Sequence, residues 1–247
     1  MIAGAASVGA VAHVFVDDLG DECTVDGPDG HHLARVRRLT IGEAVTASDG
    51  MGTWRPYQVR DAVRDRLELV ATGPPVCETI VPPRIAVAFA ITKGDRPEQV
   101  TQQLTELGVD RILPMHTVRT VVRWDADRAE KAHAKLTRVA REAAAQCRRS
   151  WLPVVEAVAS FEDVIRHPSL VLADSNGGSV NTLSEPPGGE WLAIVGPEGG
   201  FEPAERRKMA HADVVAVGSH VLRSETAAVA IASVLTGMFR QGHSQRS

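Results

Sequence analysis

The 247-residue chain has little cysteine, few aromatic residues and no long hydrophobic run. Its three cysteines, Cys23, Cys77 and Cys147, lie far apart and form no CxxC pair, which argues against disulfides and a zinc site and favours reduced thiols in the cytoplasm. No segment approaches the ~18 consecutive apolar residues of a membrane span. Residues 1–16 lack a basic segment, so they are not predicted to be a signal peptide.

Several enzyme signatures are missing as well. The chain has no P-loop, no Gly-x-Gly-x-x-Gly after an early strand, no Gly-x-Ser-x-Gly and no His-Glu-x-x-His. Its nine histidines are scattered apart from His31 and His32, so no metal site is predicted. The sequence therefore gives no indication of a P-loop nucleotide site, a classical dinucleotide site, a serine hydrolase or a metalloenzyme.

The charge distribution is more informative than the net charge of −4. Residues 84–150 contain 13 basic and 8 acidic residues, a net charge of +5, whereas residues 1–73 and residues 151–247 are each net −4. Local basic regions matter more than the total charge for polyanion binding. The middle of the chain is therefore a candidate nucleic-acid surface.

Residues 1–73 are predicted to form a small β-rich unit. Strands are expected at residues 13–16, 43–48, 53–59 and 66–71, and a short helix at residues 31–39 carries Arg35, Arg37 and Arg38. These arginines are interpreted either as a solvated helix face or as an RNA-binding patch. The proline pairs within residues 74–83 indicate a stiff linker to the next domain.

From residue 84 onwards strands and helices alternate, which is typical of an α/β fold with a parallel sheet. Helices are expected at residues 95–107, from 125 or 127 to 147, briefly after Ser160, and at residues 225–239, and the end, residues 241–247, is expected to be frayed. On the long helix Arg128, Lys131, Lys135 and Arg138 form a stripe. Such a stripe is usually a solvated face, although the shortage of acids beside it favours an RNA phosphate surface. Strands are expected at residues 84–91, 111–114, 154–156, 170–174, 191–195 and 214–217.

Two glycine-bearing loops follow the last two predicted strands. The first contains Gly196, Pro197, Gly199 and Gly200, and the second begins at Gly218. Ligands of open parallel sheets bind at the carboxyl ends of the strands, where glycine lets the backbone approach them. Two ordinary turns would explain the same pattern, but a pair of such loops at one sheet edge favours a binding site.

Five ordered motifs resemble the RsmE family of SPOUT methyltransferases, over nearly the whole chain. They are His31 to Arg37 with Gly42 to Val45, Thr92 to Arg96, Thr105 to Val109 with Arg119, Arg141 to Arg149, and the pair formed by Ile194 to Gly200 and Val221 to Ala227. The resemblance implies methylation of N3 of a uridine in 16S rRNA of the small ribosomal subunit, with S-adenosylmethionine (SAM) as cofactor. It also implies a PUA-like β-barrel over residues 1–73, a SPOUT domain with a trefoil knot over residues 84–247, and a homodimer.

The resemblance further implies individual contacts. The cofactor would be held by Leu172, Gly196, Pro197, Glu198, Gly199, Gly200, Val217, Gly218, Leu222, Arg223, Ser224, Thr226 and Ala227. The RNA would be contacted by Arg35, Arg37, Lys93, Arg96, Arg119, Arg138 and Arg149. The chain departs from the family pattern at Gln103, Ala145 and Arg148, and around His13.

Arg223 is the candidate catalytic residue. Uridine N3 must lose a proton before methylation, and a nearby cation stabilises the anionic base. Arg223 is the single cation within the two loops. The alternative is a structural arginine paired with Glu198 or Glu225. Two other functions stay open, namely a SPOUT enzyme that methylates a ribose 2′-hydroxyl and a non-catalytic RNA-binding assembly factor.

Overall fold

The computed structural model describes residues 9–240, without the side chains of Phe239 and Arg240. The expectations for residues 1–8 and 241–247 therefore lie outside the described part of the chain. The chain divides into two compact units, one made of Met1–Ile80 and Arg141–Leu152 and the other of Val81–Ala140 and Pro153–Ser247. The predicted domain limits at 73 and 84 stay predictions.

The first unit is built on a mostly antiparallel six-stranded sheet in the order β1-β3-β4-β5-β2, with β6 paired to β4. β1 and β3 pair in parallel. The core of the unit consists of apolar side chains such as Val45, Tyr57 and Leu67, which are almost fully buried. The strands are β1 (Ala12–Phe15), β2 (Glu22–Val25), β3 (Ala44–Ser48), β4 (Thr53–Val63), β5 (Arg66–Ala71) and β6 (Val76–Cys77).

The helix expected at residues 31–39 is shifted. Helix α1 spans Gly27–His31, has Pro28 in its first turn, and continues into a π-helical turn at His32–Val36. Arg38 has a left-handed backbone conformation (φ 54°), and a right-handed helix ends at such a residue. Arg37 and Arg38 consequently lie beyond the helix, and Arg35 is in its last turn.

The second unit contains a seven-stranded parallel sheet in the order β10-β8-β7-β12-β11-β13, with β9 paired to β8. Strand β11 is longer than the predicted 170–174 and β13 is shorter than 214–217. The strands are β7 (Arg84–Ala90), β8 (Arg111–His116), β9 (Val154–Val155), β10 (Ala159–Ser160), β11 (Leu170–Gly178), β12 (Glu190–Val195) and β13 (Asp213–Val215). The helices are α2 (Arg96–Glu106), α3 (Ala126–Cys147), α4 (Phe161–Val164), α5 (Pro203–Lys208) and α6 (Ser224–Arg240).

Both faces of this sheet are covered, as the continuous apolar strands predict. Alternate side chains of β7 enter different cores, with Ile85 and Val87 on one side and Ala86 and Ala88 on the other. The first core is completed by apolar residues of α2, α3 and α6, which on α6 recur with helical spacing. On α6 these are Ala228, Ile231, Ala232 and Leu235, and all four are fully buried.

Candidate functional site

The two glycine-bearing loops lie at the carboxyl ends of β12 and β13, on the same edge of the parallel sheet. The first glycine loop, residues 196–202, joins β12 to α5, and the second glycine loop, residues 216–223, joins β13 to α6. The Ser224 hydroxyl donates a 2.7 Å hydrogen bond to the carbonyl of Gly196 and so connects the start of α6 to the first loop. The prediction that the two loops meet at one edge is confirmed.

The first glycine loop has a fixed shape. The Gly200 amide donates to the Pro197 carbonyl at 2.8 Å, and Gly200 has φ +67°, a conformation that glycine adopts without strain. A Cβ on Gly196 would come within 2.9 Å of the Phe201 ring. At the loop end, Glu202 and Glu205 form a capping box for α5 with Pro203 in its first turn.

The second glycine loop lines an open pocket of about 390 Å³, part of which is continuous with solvent. The pocket wall is largely apolar, with Asp174 as its carboxylate. The lining residues are Ala173, Asp174, Ser175, Val217, Gly218, His220, Val221, Leu222 and Ala227. Four of the predicted cofactor residues, Val217, Gly218, Leu222 and Ala227, are therefore together in one pocket.

Leu172, by contrast, is buried in the sheet between Ile194 and Val214. Its successors in β11, Ala173, Asp174 and Ser175, line the pocket instead. Pro197 is buried, whereas Glu198 and Gly199 are exposed on the first loop and Thr226 is exposed on α6. The sequence signal for Asp174 was its position at the end of a strand that precedes the site.

Each oxygen of the Asp174 carboxylate has a partner, the Asn176 amide on Oδ1 and Arg206 on Oδ2. Burial raises its pKa, but the Asn176 amide at 2.9 Å and the guanidinium of Arg206 outweigh this and hold the pKa below its usual range. Arg206 lies on α5, directly after the first glycine loop. The pair therefore connects the pocket wall with the element that follows the first loop.

Arg223 is exposed at the end of the second glycine loop and makes no side-chain ion pair with any residue in the described part of the chain. Glu198 and Glu225 are both bound to Arg96 instead, at 2.9 Å and 3.7 Å. The alternative interpretation of Arg223 as a buried structural arginine is therefore wrong. Its guanidinium faces solvent beside the pocket.

The other predicted RNA contacts are distributed over both units. In the first unit Arg35 pairs with Asp65 and Arg37 donates to the Val11 carbonyl, while Arg149 is partly buried. In the second unit Lys93 and Arg138 are exposed. His13, near the start of the chain, is buried, and this burial lowers its pKa to about 4, so that it carries no charge near neutral pH.

Across residues 9–240, no three histidine, cysteine or carboxylate side chains gather as a metal site would require. No helix in that range is long and apolar enough to cross a membrane. All three cysteines are free thiols.

Residues 81–236 match the RNA methyltransferase domain family, and residues 25–71 match the RNA methyltransferase PUA domain. The chain is 33% identical over 229 residues to ribosomal RNA small subunit methyltransferase E of Mycobacterium bovis, covering 88% of this chain and 87% of that protein. The Bacillus subtilis enzyme of the same name is 28% identical, covering 83% and 85%.

Among solved structures, ribosomal RNA small subunit methyltransferase E of Neisseria gonorrhoeae bound to SAM superimposes with a TM-score of 0.79 and 26% identity, covering 92% of this chain and 98% of that one. The extent of these matches covers both the β-rich unit and the parallel sheet with its two loops. The chain belongs to the ribosomal RNA small subunit methyltransferase E family.

Proposed function

We propose that this protein is a SAM-dependent methyltransferase that methylates N3 of a specific uridine in 16S rRNA of the small ribosomal subunit. The observation that carries the proposal is the pocket at the second glycine loop with the exposed Arg223 beside it. Family membership supports the reaction class, and the Neisseria gonorrhoeae relative was solved with SAM bound.

The residues of the pocket fit the cofactor. Val217, Leu222 and Ala227 offer an apolar wall for an adenine ring, and Gly218 leaves the backbone accessible because it has no side chain. When bound, SAM supplies a methyl group on a positively charged sulfur. The chain itself has to hold the target base in line with that methyl group, and such positioning provides much of the rate enhancement of a displacement.

Arg223 acts on the target base in this proposal. Uridine N3 releases its proton to solvent, its electron pair forms the bond to the methyl carbon, and the sulfur keeps the electrons of the broken bond. The guanidinium of Arg223 stabilises the negative charge that the base carries before transfer. Its freedom from the carboxylates of Glu198 and Glu225 supports this role, because a paired arginine would be neutralised.

A homodimer with a knotted carboxy-terminal domain, working in the cytoplasm where ribosomes are assembled, belongs to the same proposal. Val118, Val121 and Val221 are exposed by 62%, 70% and 87%. The Val118 amide donates to Glu205 on α5, the helix that follows the first glycine loop, and Val221 lines the pocket. Exposed apolar side chains beside a site favour burial against a second copy. Light scattering should give twice the chain mass of 26.4 kDa.

The test is incubation of the protein with labelled SAM and small ribosomal subunits from cells that lack the modification, followed by nucleoside analysis. Label in 3-methyluridine at one site supports the proposal. Label on a ribose, or on another RNA, would favour a different SPOUT activity. SAM binding without any methyl transfer would favour a non-catalytic assembly factor.

A further inference from the structure

The guanidinium of Arg96 contacts carboxylates from both loop regions. Its Nη1 lies 2.9 Å from Oε1 of Glu198, within the first glycine loop, and its Nε lies 3.7 Å from Oε1 of Glu225, in the first turn of α6. Glu225 follows the second glycine loop directly. Arg96 therefore links the two chain segments that surround the candidate cofactor site.

Arg119 holds the other end of the first glycine loop. Its Nη1 donates to the Gly199 carbonyl at 2.7 Å and its Nε to Oε1 of Glu202 at 2.9 Å. Its aliphatic part also lies against Gly199, where an added Cβ would be 3.4 Å from Cδ of Arg119. A backbone carbonyl and a carboxylate of the same loop are thus fixed by one planar group.

We propose that Arg96 and Arg119 are positioning residues that fix the first glycine loop and its distance from α6, and thereby set the affinity for SAM. This inference rests on the proposed function. It differs from the RNA contact that the family resemblance implied for both arginines, because their guanidinium groups are already engaged by Glu198, Glu225, Glu202 and the Gly199 carbonyl.

The environment of Glu225 supports the assignment to Arg96. Oε2 of Glu225 is buried and accepts no hydrogen bond from the described residues. A carboxylate in that situation depends on its cation, so the loss of Arg96 would let the first turn of α6 rearrange. Lysine has one charged nitrogen and cannot reach both carboxylates as the arginine fork does.

The pairs are too exposed to contribute much to global stability, since Arg96 and Arg119 are 37% and 44% exposed. The expected consequence is therefore local. It should be seen in the affinity for SAM measured without RNA, and the melting temperature should change little.

The experiment is calorimetric titration of SAM, without RNA, into the wild-type protein and the variants R96A, R96K and R119A. The matched control is R166A, which removes a 2.9 Å ion pair to Asp163 outside both loops. We expect R96A, R96K and R119A each to bind SAM about three- to tenfold more weakly, as loss of roughly 1 kcal/mol predicts. R166A should bind as the wild type does.

Three outcomes would overturn the inference: an unchanged SAM affinity in R96A and R119A, full recovery in R96K, or an effect confined to the KM for the small ribosomal subunit. Should R96A fail to fold, E198Q serves as the second variant, because it removes the charge of Glu198 from the ion pair with Arg96. It should also weaken SAM binding by about three- to tenfold. If the wild-type protein itself bound no SAM, the proposed function would fail, and this inference with it.

Discussion

The two loops at the edge of the parallel sheet are built differently. The first glycine loop is held by Arg96, Arg119, the Glu205 capping box and a turn closed by Gly200. The second glycine loop is attached only near its ends, by the Ala216 amide bound to the Gly178 carbonyl and by the Ser224 hydroxyl bound to the Gly196 carbonyl, among the contacts of the described residues. Between these ends it presents exposed residues such as Val221 and Arg223.

The difference indicates a division of work. A loop that is held by several hydrogen bonds and ion pairs keeps its backbone groups in one arrangement. Less conformational entropy of the loop is therefore lost when a ligand binds. An exposed loop with an unpaired cation can instead meet a second molecule, here the RNA. The first loop would then serve the cofactor alone, whereas the second loop would line the cofactor pocket and also present Arg223 to the target base. The following predictions test that division.

The largest expected effect is on the second loop. Arg223→Ala should lower the turnover number by about a hundredfold or more, because it removes the cation that stabilises the deprotonated base. The SAM dissociation constant should stay within about twofold, since Arg223 is not among the residues that line the pocket. Single-turnover assays with small ribosomal subunits and calorimetry measure the two quantities. Wild-type turnover in Arg223→Ala would remove the catalytic assignment.

The second prediction concerns the support of the first loop. Glu205 is 4% exposed and accepts hydrogen bonds from the amides of Val118 and Glu202, at 2.9 Å and 2.8 Å. Glu205→Ala leaves both amides without that acceptor and should lower the free energy of unfolding by about 1–3 kcal/mol. Urea denaturation measures this. Glu130→Ala, at an exposed position of α3, is the control and should change it by less than about 0.5 kcal/mol.

The third prediction uses pH at the pocket wall. The pKa of Asp174 lies below its ordinary value of 3.8, so its ionised form stabilises the fold above that pH, and this contribution is lost as the pH falls through the folded-state pKa. Asp174→Asn should therefore be less stable than the wild type by about 1 kcal/mol at pH 7, because Arg206 and the Asn176 amide lose a charged acceptor.

Denaturation curves of the two proteins between pH 7 and pH 3 measure the effect of Asp174. The difference should be constant down to about pH 4 and shrink below it. A difference that grows with acidity would contradict the proposed ionisation.

The smallest effect is expected at the tip of the second loop. Val221 is 87% exposed, so Val221→Ala should change the free energy of unfolding by less than about 0.5 kcal/mol at protein concentrations where the chain is monomeric. Chemical denaturation at several concentrations measures it. A large change in the free energy of unfolding that depends on protein concentration would mean that a second copy covers the loop. A large change at all concentrations would contradict the conclusion that the second loop, unlike the first, is exposed.

Much of the fold follows from local sequence. The apolar runs predicted β7 and β12 within one residue, and Ser160 caps α4 through the Asp163 amide, as expected. Strand β2 was not predicted, because Glu22–Val25 is mostly polar and exposed and contains one buried residue, Val25. The two-residue strand β6 lies in the segment interpreted as a linker.

Residues 175–178 show why other parts were not predictable. They are polar and rich in glycine and lie beyond the predicted end of the strand at residue 174, yet they continue β11 beside β13. Gly177 lies so close to this neighbour that a Cβ would come within 2.4 Å of the Val215 backbone. That closeness arises from the packing of two distant strands, and it does not appear in the local pattern.

The sequence by itself determined the alternating strands and helices, the two glycine loops and the family, because these depend on short-range spacing and on motifs. Only the tertiary structure decided which cations are free. Arg96 and Arg119 pair with glutamates that are 102 and 83 residues away in sequence. Arg223, by contrast, does not pair with the neighbouring Glu225, which contacts Arg96 instead. An ion pair depends on distances of a few ångströms in space, and those are set when the sheet brings separate loops to one edge.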